Sequence, residues 1–166
     1  MTAAVTNLVV VLQEQLAVFT DLRQLLQEEQ QAIMAVDTAR MEQLNSLKEP
    51  VVMRQFKTAD ALRDAIGVLA RQLGSTPVKS VSELLPKLPR EAAAELAPLQ
   101  RKVQESGVAV NELARQNRGM LERFLGTVND SLGFLLRVLN TSNQYGAAGT
   151  YIQRTQSGAV MVNREA

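Results

Sequence analysis

Residues 5–36 read VTNLVVVLQEQLAVFTDLRQLLQEEQQAIMAV, and the periodicity of this stretch decides the fold class. Steps of three and four alternate through Val5, Leu8, Leu12, Gln15, Phe19, Leu22, Leu26, Glu29, Ile33 and Val36, and eight of these ten positions are apolar. Residues three and four apart share one side of an α-helix, so the spacing predicts a long helix with a heptad-like seam. A strand would need apolar residues at every second position. The two polar seam positions differ in their surroundings: Leu16 lies beside Gln15, whereas Glu29 follows Glu28.

Working outward, Asp37-Thr38 interrupts the pattern with side-chain oxygens suited to the free N–H groups of a new first turn. A tight break and a second helix over about 38–73 are expected. The other reading is one continuous rod through residue 37, ~100 Å long at 1.5 Å per residue and with little to pack against. Helix two would carry Met41, Leu44, Leu47, Val51, Val52, Leu62, Ile66, Leu69 and Leu73, with Leu44 and Leu47 in the core and the Lys48 stem snorkelling beside them. Pro50 predicts a kink near 46–50, and Gly74 with Pro77 a stop. In the proline-containing connection 75–90, Ser80 and Glu83 have capping-box spacing ahead of Leu84-Leu85, which predicts a short helical turn.

A third helix is expected from Arg90 or Glu91 to about Asn140, with 91–97 offset if Pro98 opens a fresh first turn. Its core positions would include Leu99, Val103, Val110, Leu113, Met120, Phe124, Val128, Leu135 and Val138. The architecture that follows is all-α: an elongated antiparallel hairpin of long helices, coiled-coil-like, with a third long helix packed alongside. Residues 1–140 form one helical domain in this reading. Residues 141–166, with Gly146, Gly149 and Gly158 and no helical stripe, form a flexible C-terminal tail.

Composition closes most chemical classes. Eighteen Lys and Arg are interspersed with seventeen Asp and Glu, and four Phe, two Tyr and no Trp leave little to stack on bases, so nucleic acid is not an expected partner. With no Cys there is no disulfide framework, thiolate zinc site or redox pair, which fits a reducing cytoplasm. With no His, the commonest general base, the Glu-x-x-His di-iron motif and a phosphorelay site are all missing. Glu28-Glu29 are adjacent rather than held across a cleft, and no Gly-rich turn precedes Lys-Ser or Lys-Thr. The first cation is Arg23, so Leu8–Leu12 lacks the basic flank of a signal peptide, and no apolar run is expected to approach the ~20 residues of a membrane span. A non-catalytic cytoplasmic binding protein without metal or cofactor is expected.

One feature rises above that background. At 100° per residue Leu121, Leu125, Leu132, Leu136 and Leu139 make one stripe, widened by Phe124, Val128, Leu135, Val138 and Phe134 to an arc of about 200°, against the roughly 100° that one core contact needs. Either this helix sits between both others and buries the arc, or part of the arc receives an apolar helix from a partner. Pairing with a second copy is the structural rival. Adsorption to a membrane surface is disfavoured, because Glu122, Arg123, Asp130 and Arg137 balance. Asn117 falls between Leu113 and Met120, as a buried amide that fixes register or as a polar contact to a partner. Tyr145-Gly146, with Gly149 and Tyr151 beyond, sets aromatic side chains among glycines, as a docked tail or a linear recognition element.

These pieces, in order, resemble the FlgN family of flagellar type III export chaperones. The likeness runs from Leu22-x-x-Leu-Leu-x-Glu28 through Asp37-x-x-x-Met41-x-x-Leu44-x-x-Leu47-Lys48 to Asn117-x-x-x-Leu121 and Tyr145-Gly146-x-x-Gly149. Relatives often carry a second asparagine shortly before the one matching Asn117, where Leu113 and Ala114 stand here. The resemblance implies a cytosolic chaperone that binds the C-terminal helical region of hook-associated proteins of the FlgK and FlgL types. It would keep them from assembling prematurely and deliver them to the export gate or ATPase components. It implies a cargo surface on Leu121–Leu139, comprising Leu121, Phe124, Leu125, Val128, Leu132, Leu135, Leu136 and Leu139, with Tyr145 and Gly146 at the docking element for export.

Overall fold

The structure, a computed structural model, describes residues 3–75 and 78–142. All regular structure among them is helical: α1 (Ala3–Met34), α2 (Thr38–Gln72), α3 (Val81–Leu84), a 3-10 turn (Leu85–Lys87) and α4 (Arg90–Ser142). The chain divides into two compact units, Met1–Leu121 and Glu122–Ala166. The first is a bundle, and the described part of the second is α4 beyond Leu121.

The break between α1 and α2 falls where Asp37 predicts it. The Asp37 N–H donates to the Ala32 carbonyl at 2.9 Å and the Val36 N–H to Ile33 at 3.1 Å, the paired bonds of a Schellman stop. Asp37 then caps α2, its Oδ1 accepting from the Arg40 N–H at 2.9 Å. One residue thus ends one helix and begins the next, which sets aside the continuous rod. Val36 occupies the left-handed position of this stop at φ 55°, a conformation costly for a β-branched residue. The matching stop after α2 places Gly74 at φ 61°, where no Cβ is strained.

The first unit closes as a hairpin because the seam of α1 is buried from Val5 to Ile33, with Phe19 partly covered. Arg54 of α2 bridges Glu14 at 3.0 Å and Asp21 at 3.1 Å, Gln15 donates to Gln55 at 2.6 Å, and Arg40 pairs with Glu28. Partners retreat along α2 as one advances along α1, which is antiparallel register. α4 joins in the direction of α1. Ala92 and Leu96 share a core with Val5, Leu8, Leu12, Ile66 and Leu69, while Val110 packs with Val18, Leu22 and Leu26. Leu8, Leu12, Leu44, Leu69, Leu84 and Leu96 are sealed from solvent, each stabilising the fold by roughly 1.5–3 kcal/mol. Gly107 allows the close approach of α4 to α1: a Cβ there would lie 3.2 Å from the Phe19 ring.

Several local expectations need correction. Pro98 opens no new helix; α4 runs unbroken through it to Ser142, past the expected end at Asn140. Pro98 and Ala94, whose carbonyl loses its donor, are both exposed, so water can take the missing bond. At the exposed Pro50, where a kink is expected, the chain does not break and α2 continues. Leu47 is half exposed rather than core, because Leu44 and Lys48 take the inner face at that level. Ser80 does begin α3, but its hydroxyl donates to Glu83 Oε1 at 2.9 Å instead of capping a backbone N–H. Finally, α1 is by length and composition apolar enough to cross a membrane, contrary to the reading of its run as too short. Val5, Leu8, Val9, Leu12 and Val18, which contribute to this hydropathy, lie in the bundle core, whereas Val10 is exposed. Pro77 and residues 143–166, the bulk of the expected tail, lie outside the described residues.

Candidate functional site

Two groupings of side chains carry functional meaning, one inside the first unit and one on α4 beyond it. The inner one centres on Asn117, which is 2% exposed. Its Nδ2 donates to the Leu26 carbonyl at 2.8 Å and to Glu29 Oε2 at 2.9 Å. Both partners are acceptors, so the amide must present its NH2 group there. Glu29 Oε1 in turn pairs with the Lys48 ammonium. One buried chain of polar contacts therefore joins α4, α1 and α2. Asn117 is the register-fixing amide of the two readings, and Glu29 occupies an apolar seam because both of its oxygens are satisfied. Asn117 Oδ1 and Gln15 Oε1 are buried without a protein partner.

The second grouping is the stripe. Leu121 and Phe124 are partly covered, whereas Leu125, Val128, Leu132, Leu135, Leu136 and Leu139 are exposed, from 38% at Val128 to 61% at Leu136 and Leu139. Phe134 and Val138 widen the exposed face. No described residue between Glu122 and Leu139 is buried. Glu122, Arg123, Asp130 and Arg137 fall on the other side of the helix, so the apolar arc is continuous and its back is charged. Thr127 and Ser131 fall on the Phe134–Val138 flank of the arc, where their hydroxyls donate to the Arg123 and Thr127 carbonyls at 3.1 and 2.8 Å. Tyr145 and Gly146 lie outside the described residues.

Such a surface suits an apolar helix. Each half-exposed Leu would contribute about 1 kcal/mol on being covered, half of full side-chain burial. The five exposed leucines together give several kcal/mol, against at least ~4 kcal/mol lost in association. Coverage of the stripe alone would thus yield little more than association costs.

No group of three metal-ligating side chains converges among the described residues. The Glu112 carboxyl is clearly displaced. Hydrogen bonds from Arg115 and Gln116 lower its pKa from 4.5 to about 2, the opposite of what a general acid requires. An open cleft at the end of the bundle is lined by apolar Val5, Leu69, Leu73, Leu88, Pro89 and Ala92 with Gln72 and Glu91 at its edge. The Glu29 link is the feature that sequence reasoning missed. Its signal, a charged residue on an apolar seam, is visible in the sequence, while its partners are 19 and 88 residues away.

Residues 1–153 match the protein-family model described as FlgN protein. No curated protein and no solved structure matches the chain significantly.

Proposed function

The chain belongs to the FlgN family, and from that premise we propose that it is a cytoplasmic export chaperone for hook-associated flagellar proteins. The family membership and the all-helical fold are consistent with a chaperone role in flagellar export. The observation that carries the finer reading is the exposed apolar stripe Leu125–Leu139 on α4, backed by charge. A cargo helix destined for the core of a filament has an apolar face of its own, and covering it reversibly takes a matching stripe without the burial of an obligate dimer. The C-terminal helical region of FlgK- and FlgL-type proteins is the proposed occupant, with Leu121, Phe124, Leu125, Val128, Leu132, Leu135, Leu136 and Leu139 in contact. Tyr145 and Gly146 are proposed to serve delivery to the export gate or ATPase components rather than cargo capture.

Co-expression with a hook-associated protein of the same genome tests this reading. A one-to-one complex on a sizing column is expected. A stable homodimer that excess filament-junction helix does not dissociate would overturn it in favour of a self-associating coiled coil.

A further inference from the structure

Residues 126–133 read Gly-Thr-Val-Asn-Asp-Ser-Leu-Gly, and Leu132 is the one strong helix former among these eight. Glycine recurs at 119, 126 and 133, a spacing of seven that keeps all three on the charged side of α4, away from the stripe. A Cβ added at any of them would meet no atom within 4 Å, and none has a positive φ. Neither packing nor backbone geometry requires glycine there, so its effect falls on the helix itself. The hydroxyls of Thr127 and Ser131 bond back to carbonyls one turn earlier, a local contact that slightly weakens and bends helices. Most helices in proteins are stabilised by burial of one face, yet no described residue from Glu122 to Leu139 is buried.

We propose that α4 beyond Leu121 is held in a shallow helix–coil equilibrium by these glycines and their weak-propensity neighbours, and that capture of an apolar partner helix completes it. The second half rests on the chaperone reading above. The part of α4 ending at Asn117 is buried and bonded in the first unit, so it serves as a nucleus and only propagation is at stake. Each weak residue multiplies the helical population by a factor near or below one, so order declines with distance from Leu121. A partner then binds only the helical fraction, and its apparent affinity is reduced by that fraction. The cargo is held less tightly than a rigid stripe would hold it, which favours release at the point of export.

The full-length Gly126→Ala/Gly133→Ala variant tests the device, because the added methyl groups enter open space. Each replacement favours helix about fivefold, the equivalent of ~1 kcal/mol, and about 25-fold together for the segment past residue 133. By amide hydrogen exchange without partner, residues 127–136 of the parent should exchange far faster than residues 8–26. The variant should slow residues 134–136 by tenfold or more and residues 127–132 by up to about fivefold, and leave 8–26 unchanged. Parent amides at 127–136 as protected as those at 8–26, or a variant with no slowing, would overturn the helix–coil proposal. Adding a C-terminal helical segment of a hook-associated protein should protect 127–136 in the parent and bind the variant more tightly, by up to about 25-fold. Equal binding by parent and variant would overturn the coupling. Binding by neither would instead overturn the chaperone reading, leaving exchange to decide the helix–coil proposal.

Discussion

Replacing Glu29 by Ala should cost the first unit about 3 kcal/mol. Its carboxylate is buried and joins two partners, the Lys48 ammonium on one oxygen and Asn117 Nδ2 on the other. Removing one member of a buried ion pair costs about 3–5 kcal/mol, because the remaining charge stays desolvated. The Lys48 side chain is 19% exposed and can turn its amine toward water, which brings that part down to about 2 kcal/mol. Asn117 keeps the Leu26 carbonyl but loses one acceptor, for about 1 kcal/mol more. Urea unfolding followed by circular dichroism would read this as a midpoint lower by about 1.5–2 M for a slope of ~1.5–2 kcal/mol/M. The same reasoning expects Glu29→Leu, Lys48→Met and Asn117→Leu made together to stay within about 1 kcal/mol of the parent, since no charge or amide is then stranded. A Glu29→Ala cost below 1 kcal/mol would refute the argument. So would single-variant costs at Glu29 and Lys48 that simply add in the double variant.

The remaining expectations concern one turn, one surface and one titration. Val36→Gly should raise stability by about 0.5–1 kcal/mol in urea, since it removes the left-handed strain at φ 55° at some entropic cost in the unfolded chain; no gain would mean the turn tolerates valine. Leu132→Asp or Leu136→Asp should abolish partner binding while leaving the urea midpoint within about 0.5 kcal/mol, because both side chains are more than half exposed; unfolding would make them core. Glu112 should titrate in NMR at about 2, and Arg115→Gln should return it toward 4.5. The depressed pKa means that its contribution is present above the unfolded value and fades as pH falls toward 2; a midpoint near 4.5 in the parent would refute the pairing.

The fold is largely legible in the sequence because its signals are local. The seam Val5–Ile33 follows from spacing alone, and Asp37 marks the break because a capping oxygen acts within one turn. Val36 is not legible as a left-handed residue, since its own preference opposes that conformation and the surrounding stop imposes it. Pro98 misleads for a related reason: the rule against proline assumes an unsatisfied carbonyl, and at an exposed position water removes the difficulty. Glu29 reads as a flaw in the seam until Lys48 and Asn117 arrive from other helices. On α4 the width of the arc is legible and its exposure is not, because periodicity records which residues share a face and not whether a neighbour covers it.

The central claim is that the α4 stripe captures a helix from a hook-associated protein. Isothermal titration of this protein with the C-terminal helical segment of such a protein, encoded by the same genome, tests it most directly. Saturable one-to-one binding with a negative heat-capacity change is the predicted result, the signature of apolar surface leaving water. No heat, together with no complex on a sizing column, would contradict it.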